Sequence, residues 1–308
     1  MSPIEPVTPP PLVRHPRGRA AQLMRSIHAL ALLFLLLAPA AAAQEPVFDV
    51  HVHLHDAGRS LGSYRAQLEE AGLQHAGFGA MWFGGPNQAP RGDIASVRAH
   101  NDALLGLARR TPGMLPIATV HPYDGAAALE ELARVAALGV KVLKIHAHTQ
   151  RFDVADPRVL ALVRRAGELG VVVLMDNAGI RPGDNEQLFN LAIQSPGTTF
   201  VLAHIGGLGF RFWNVLALAR TADDLFMDNV YFDLSATAVL VVDSPLEEEF
   251  VWTLRNVGTD RVLLGSDYPQ LSRARSLDAL ERLDLDADEK AAIRHGNAHR
   301  LFGLGEAR

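Results

Sequence analysis

Two histidines separated by one residue begin the part of the chain that can carry chemistry. His51 and His53 lie in residues 48–55, where polar and aliphatic side chains alternate. The pattern predicts a β-strand with Asp49, His51 and His53 on one face. Imidazole nitrogens are preferred ligands of zinc and similar divalent ions. The two rings are therefore a candidate half of a metal site, and the alternative is a pair of hydrogen-bonded or solvated histidines.

The His-x-His spacing is weak support by itself. The chain has 13 histidines among 308 residues, and the spacing occurs three times, so the motif carries a high risk of a false match. The location of His51 and His53 carries more weight, because they end the first strand of a long alternating pattern.

Apolar runs of strand length alternate with amphipathic helical runs over residues 48–301. The aliphatic residues of the strand-like runs are nearly continuous, as in a parallel sheet covered by helices. Eight such units close into a (β/α)8 TIM barrel. The alternative is a doubly wound sheet, which more readily carries a glycine-rich phosphate loop after its first strand, and none is present there. The predicted strands are residues 48–55, 78–83, 115–120, 140–145, 171–175, 199–203, 230–234 and 261–264.

Residues able to bind a metal or a substrate stand at the carboxyl ends of the predicted strands. In a TIM barrel these ends together form the rim that carries the active site. Core packing does not need such residues, and solvated loops would not place them so regularly. They are His51 and His53 on strand one, His121 after strand three, Lys144 and His146 at strand four, Asp176 at strand five, His204 at strand six, Asp233 at strand seven and Asp267 after strand eight.

Six sequence blocks resemble the amidohydrolase superfamily, in particular its amidohydrolase-related branch of metal-dependent hydrolases and decarboxylases. The resemblance spans nearly all of residues 47–303, and its most specific parts surround His204 and Asp267. The blocks are Asp-Val-His-Val-His at 49–53, Lys-Ile-His at 144–146, Ala-His-Ile-Gly-Gly at 203–207, Tyr-Phe-Asp-Leu-Ser at 231–235, Gly-Ser-Asp-Tyr-Pro at 265–269 and Gly-Asn-Ala-His-Arg-Leu-Phe at 296–302.

The resemblance implies a role for each matching residue. His51 and His53 match the metal ligands of the first strand, and Asp267 matches the carboxylate that binds the metal and handles the proton of the attacking water. His204 matches a histidine that binds metal or polarises the substrate. The family's histidine at the end of strand five is replaced by Asp176. Because a carboxylate can ligate zinc, we predict one divalent ion held by two His and two Asp, with zinc as the first choice and manganese as the second.

Lys144 and His146 share one face of the fourth strand and are predicted to contact the substrate. For Lys144 the alternatives are a carboxylated bridging ligand or an ion pair with Asp176. For His146 the alternative is a hydrogen bond to a metal ligand, with no contact to the substrate. Asp233 either orients a ligand or bonds the backbone. His55, His121 and His148 are interpreted as loop or structural residues.

These features predict a hydrolase that cleaves a small amide, ester or lactone. Water activated by the metal would attack, Asp267 would move the proton and His204 would stabilise the oxyanion. Alternatives are a decarboxylase with the same metal, a metal-free lactonase, and a binding barrel without catalytic activity. Release of carbon dioxide and metal content separate these alternatives.

The amino-terminal segment has the pattern of a signal peptide. Four arginines precede the apolar run 27–37, and an alanine-rich stretch ends at Ala43, so we expect cleavage near Ala43 and export to the periplasm or medium. The run is too short for a stable membrane span. Met24 is a candidate true start, which would make residues 1–23 an over-extension. Residues 44–308 are predicted to be one barrel domain.

The composition of the predicted mature chain excludes two classes of function. Removal of four Arg and one Glu leaves 25 basic and 33 acidic residues, a net charge of −8, which does not fit nucleic-acid binding. The chain has no cysteine, which excludes disulfides, thiolate metal sites and a cysteine nucleophile. A small-molecule substrate is the expected partner.

Overall fold

Eight parallel strands in the order β1 to β8 form the sheet of this protein. A computed structural model describes residues 46–56, 58–73, 77–222 and 227–304, and the predicted signal peptide lies outside these ranges. The strands are β1 (Phe48–His53), β2 (Gly77–Met81), β3 (Met114–Thr119), β4 (Val142–Ile145), β5 (Val172–Met175), β6 (Phe200–Leu202), β7 (Val230–Asp233) and β8 (Val262–Leu263). Each falls on a strand predicted from the sequence.

The sheet closes on itself through β1 and the segment that follows β8. The backbone N–H of Val50 donates to Leu264 O at 2.9 Å, and His53 N donates to Tyr268 O at 2.8 Å. Val52 pairs in parallel with Tyr268 as an isolated bridge. The predicted (β/α)8 TIM barrel is confirmed.

Helices connect the strands, and the apolar side chains of the eight strands are buried except for the partly buried Pro116 and Tyr231. Within the described residues, no helix is long and apolar enough to cross a bilayer. The α-helices are α1 (Gly58–Glu70), α2 (Ile94–Ala108), α3 (Ala126–Ala137), α4 (Ala147–Gln150), α5 (Pro157–Glu168), α6 (Asp184–Gln194), α7 (Val215–Ala219), α8 (Thr237–Val241), α9 (Glu247–Val257), α10 (Arg273–Arg282), α11 (Ala287–Ala291) and α12 (Asn297–Phe302). Short 3-10 helices span Pro122–Asp124 and Thr259–Arg261. Ala203–Asn214 is a longer 3-10 segment that contains a non-helical turn, and a π-helix spans Ala292–Gly296.

Asp49 does not share its surroundings with His51 and His53, which corrects the alternation predicted for the first strand. Its carboxylate accepts from Tyr64 Oη at 3.0 Å and Ser266 Oγ at 2.6 Å, and lies 3.6 Å from Arg273 Nε. The register between β1 and β2 shifts between Asp49 and Val52. An extra residue in one strand reverses the alternation, so Asp49 meets side chains from α1 and α10 while the two histidines face the barrel rim.

The turn after β6 has an unusual backbone that the sequence pattern did not indicate. Four consecutive residues, from His204 to Gly207, have positive φ values of 63°, 42°, 83° and 55°. A Cβ at Gly207 would stand 2.2 Å from the carbonyl oxygen of Ala178. This left-handed turn therefore depends on glycine, and it delivers the His204 side chain to the rim.

Candidate metal centre and catalytic pocket

The carboxyl ends of the strands surround a cavity of about 240 Å³. All seven residues predicted to bind metal, catalyse or contact substrate line it, and His55, interpreted as a loop or structural residue, lines it as well. The seven are His51, His53, Lys144, His146, Asp176, His204 and Asp267, and the rest of the wall is His55, Gly84, Gly85, Thr149, Pro269 and Gln270.

Three ligand atoms converge on one wall of this cavity. His51 Nε2 lies 3.2 Å from His53 Nε2 and 3.4 Å from Asp267 Oδ1, and His53 Nε2 lies 3.2 Å from the same oxygen. Two ligands bound tetrahedrally at about 2.0–2.1 Å from one ion stand about 3.3 Å apart. The three spacings therefore match those of three ligands of one divalent ion.

Hydrogen bonds at the other ring nitrogens determine which atoms face the cavity. His53 Nδ1 lies 2.5 Å from Phe83 O, and His51 Nδ1 lies 2.9 Å from Asp233 Oδ2. A carbonyl oxygen only accepts, and so does an ionised carboxylate, so both rings carry their proton on Nδ1. Both Nε2 atoms then present lone pairs to Asp267. An arrangement of three acceptors with no proton between them fits a cation, and these residues would hold it.

Lys144 brings a buried amino group close to the three candidate ligands. Its Nζ is 3.4 Å from His51 Nε2, and the side chain is 1% exposed. Burial lowers the pKa of Lys144, and the carboxylates of Asp176, Asp233 and Asp267 oppose this. Burial, followed by the charge of Lys144, also lowers the pKa of His51, which keeps that ring neutral and able to act as a ligand.

Asp176 lies on the opposite wall, between two histidines. Its Oδ1 is 3.4 Å from His204 Nε2 and 3.5 Å from His146 Nε2. Within the described residues, the cluster compact enough for one metal ion is His51, His53 and Asp267, and Asp176 is outside it. The role of Asp176 as a fourth ligand stays a prediction, and so do the roles assigned to His146 and His204.

The charges on this opposite wall follow from its contacts. Burial disfavours the charged ring of His204, but the hydrogen bond that the ring donates to Asp176 and the nearby carboxylates of Asp233 and Asp267 raise its pKa to about 9. Burial also raises the pKa of Asp176, yet the surrounding His204, His146 and Lys144 hold it well below its usual range. Burial lowers the pKa of His146 to about 3. The wall thus pairs one imidazolium with one carboxylate.

Two groups that contact the histidine rings were not identified from the sequence. The Phe83 carbonyl that bonds His53 is a backbone atom, and no side chain identifies it. Ser235 lies near two rings, with its Oγ 2.9 Å from His204 Nδ1 and 3.3 Å from His51 Nδ1. Asp233 fulfils both alternatives considered for it, since it bonds the His51 ring and also the backbone N–H of His204 at 3.1 Å.

Two further histidines have structural contacts, as interpreted from the sequence. His121 Nε2 lies 2.8 Å from Gln150 O, and His121 Nδ1 accepts from Tyr123 N at 3.0 Å. His148 Nε2 lies 3.2 Å from Asp184 Oδ2. Neither ring lines the cavity.

A metal-ligand cluster at the carboxyl rim of a (β/α)8 barrel is the arrangement of metal-dependent TIM-barrel enzymes. A sequence model described as Amidohydrolase matches residues 48–304, and the chain belongs to that family. No curated protein matches the chain by sequence.

Solved structures share the fold at low sequence identity. A 5-carboxyvanillate decarboxylase from Sphingomonas paucimobilis is 18% identical with a TM-score of 0.63, and the match covers 79% of this chain and 83% of that one. A dihydroxybenzoic acid decarboxylase from Polaromonas sp. JS666, with bound manganese and the inhibitor 2-nitroresorcinol, is 16% identical with a TM-score of 0.60, covering 84% and 97%. A proposed 2-pyrone-4,6-dicarboxylic acid hydrolase from Pseudomonas putida is 21% identical with a TM-score of 0.57, covering 83% and 97%.

Proposed function

We propose that this protein is a metal-dependent decarboxylase of a small, unsaturated or aromatic carboxylic acid. The observation that carries the proposal is the buried amino group of Lys144, 3.4 Å from a ring nitrogen of the three-acceptor cation site, because an amine beside a cation site suits a carboxylate substrate. The solved neighbours named as decarboxylases of aromatic acids support the same reaction. This order reverses the one drawn from the sequence, in which hydrolysis came first.

The size of the cavity agrees with a small substrate. Its volume of about 240 Å³ is below the roughly 300–1,000 Å³ of pockets that hold drug-sized ligands. One ring with its substituents fits such a space. Lys144 would bind the substrate carboxylate, and burial of the ammonium strengthens that pairing.

Decarboxylation breaks the bond to the carboxylate and leaves an electron pair on carbon, which then needs a proton. When bound, a divalent ion supplies a Lewis acid that polarises a substrate oxygen and stabilises this charge. His204, whose pKa is raised to about 9, holds a proton at Nε2 on one side of the cavity. Asp267 on the other side can take a proton from the substrate and return it.

A metal-dependent hydrolase is the second candidate. It is supported by the family and by the similarity to the proposed 2-pyrone-4,6-dicarboxylic acid hydrolase. In that reaction Asp267 would take the proton of water and His204 would bear the developing oxyanion. Both reactions use the same ligands, so the product decides between them.

The test is product analysis with protein loaded with Mn²⁺ or Zn²⁺. The panel contains 5-carboxyvanillate, 2,6-dihydroxybenzoate, 2-pyrone-4,6-dicarboxylate and simple esters, amides and lactones. We expect dissolved CO₂ in equal amount to the substrate consumed, and no CO₂ with Asp267→Asn. Formation of a new carboxylic acid without CO₂ would favour hydrolysis. If none of the carboxylic acids in the panel is consumed, the decarboxylase proposal is left without support.

A further inference from the structure

Asp233, at the end of β7, contacts the ligand set without lining the cavity. It is 0% exposed, and its Oδ2 lies 2.9 Å from His51 Nδ1. It is absent from the residues of the cavity wall. Its contact with the cation-binding cluster is the bond to the His51 ring, and its contact with His204 is made to the backbone N–H.

The other oxygen of Asp233 is held by three donors. Oδ1 accepts from the backbone N–H of His204 at 3.1 Å and of Ser235 at 2.9 Å. It also accepts a close hydrogen bond from the Ser235 hydroxyl. All three groups donate at this position, so an acceptor must stand there. The carboxylate consequently has one orientation, with Oδ2 directed at His51.

We propose that Asp233 is a positioning residue that fixes the tautomer of His51. By accepting the Nδ1 proton it keeps the Nε2 lone pair directed at His53 and Asp267. The metal-ligand role of His51 is taken from the proposed function, whereas the position of its proton follows from the carboxylate oxygen of Asp233 that lies 2.9 Å from Nδ1. Ser235 completes the arrangement, because its backbone and hydroxyl donors prevent the carboxylate from turning.

An asparagine at position 233 has a predictable orientation for the same reason. The three donors require its amide oxygen at the Oδ1 position, so its NH₂ group must face His51 Nδ1. A donor facing Nδ1 requires that nitrogen to be the acceptor, and the ring proton then moves to Nε2. Nε2–H would point at Asp267, 3.4 Å away. The protonated Nε2 would then have no lone pair with which to bind a cation. The nearly isosteric change should therefore damage the metal site more than removal of the side chain does.

The chain offers a matched control in Asp49. This carboxylate is also 0% exposed on β1 and accepts from Ser266 N at 2.9 Å, Ser266 Oγ at 2.6 Å and Tyr64 Oη at 3.0 Å. It also accepts from the His51 backbone N–H at 3.1 Å and lies 3.6 Å from Arg273 Nε, and among the described residues it bonds no imidazole ring. Asp49→Asn thus replaces a buried carboxylate in the same region without a donor facing a ring nitrogen.

The experiment measures the side-chain ¹⁵N shifts of His51 in metal-free protein and the affinity for Mn²⁺ by titration. Wild type and Asp49→Asn should show His51 protonated on Nδ1, and Asp233→Asn should show it protonated on Nε2. Loss of the orienting contact in Asp233→Ala should weaken Mn²⁺ binding by about 10–100-fold. Asp233→Asn should be weaker again by roughly tenfold, because its ring is held in the wrong tautomer.

Several outcomes decide the proposal. Asp233→Asn with His51 still protonated on Nδ1, or with Mn²⁺ affinity within about threefold of wild type, would overturn it. If Asp233→Ala fails to fold, the contrast of Asp233→Asn with Asp49→Asn still decides. If wild type binds no Mn²⁺ or Zn²⁺ while the tautomer switches as expected, the proposed function fails and the role of Asp233 stands.

Discussion

At the scale of single residues, Asp267 has two proposed roles, as a metal ligand and as the group that moves a proton. Asp267 Oδ1 lies within 3.4 Å of both histidine nitrogens, and Asp267 also lines the cavity that we propose as the substrate site. Burial raises its pKa, but the nearby imidazoles, His51 first, lower it to about 2. It is thus ionised at neutral pH and ready to accept a proton or a cation.

Asp267→Asn should lower kcat by at least about a hundredfold, the usual scale of proton-transfer catalysis. The amide keeps the shape of the side chain but cannot take a proton. Steady-state kinetics on a substrate identified by CO₂ release would measure this, with thermal unfolding as the check on folding. Activity close to wild type would remove Asp267 from the mechanism.

Asp176 stands where the resemblance implies a histidine, and its role as a ligand is a separate prediction. Its carboxylate shares the cavity with the three-residue cluster, and a site with two carboxylates is harder than one with three imidazoles. We expect Asp176→Ala to lose bound metal and Asp176→His to retain it with a stronger preference for zinc. Equal metal stoichiometry in wild type and Asp176→Ala, measured by mass spectrometry, would show that Asp176 is not a ligand.

At the scale of elements, the turn after β6 carries the most restrictive backbone in the site. The Ala178 carbonyl and Gly207 approach each other so closely that a Cβ has no room. His204 begins this turn, so its position depends on the packing of the β5 and β6 loops. The short helix α8 also holds the start of the turn, since Thr237 Oγ1 donates to His204 O at 2.6 Å.

Gly207→Ala should destabilise the protein by about 2–4 kcal/mol, from the left-handed φ together with overpacking against Ala178. Gly139→Ala is the matched control, because Gly139 also has positive φ, 93°, but nothing lies within 4 Å of its Cβ position. It should cost only about 1 kcal/mol. Urea unfolding measures both, and equal losses would mean that the contact with Ala178 is unimportant.

At the scale of the whole molecule, the ligands lie across the seam where the barrel closes. His51 and His53 are on β1, and Asp267 belongs to the segment after β8 that bonds β1. A bound ion would therefore connect the first and last strands, and binding to the folded state alone raises stability.

Mn²⁺ at a hundred times its dissociation constant should stabilise the metal-free protein by about 2.7 kcal/mol, a rise in Tm of about 5–10 °C for a chain of this size. Calorimetry after chelation and dialysis would measure the shift. His53→Ala should abolish it, because it removes one ligand. A shift of the same size in that variant would place the ion elsewhere.

Export remains a proposal at this scale, motivated by the arginine, apolar and alanine segments before residue 44. Intact mass and amino-terminal sequencing of the protein from its native host should give a mature chain that begins near Gln44. A mature protein that retains residues 27–37 would contradict it.

The sequence alone predicted the eight strands, the barrel and seven of the residues that line the cavity. The reason is local: strand and helix periodicity is read from neighbouring residues, and the barrel brings all strand ends to one rim. The tertiary structure alone decided which of them meet. A one-residue shift in register took Asp49 away from the rim, and a left-handed turn delivered His204. The proton of His51 was assigned by Asp233, 182 residues distant in the chain, because tautomers depend on contacts across the fold.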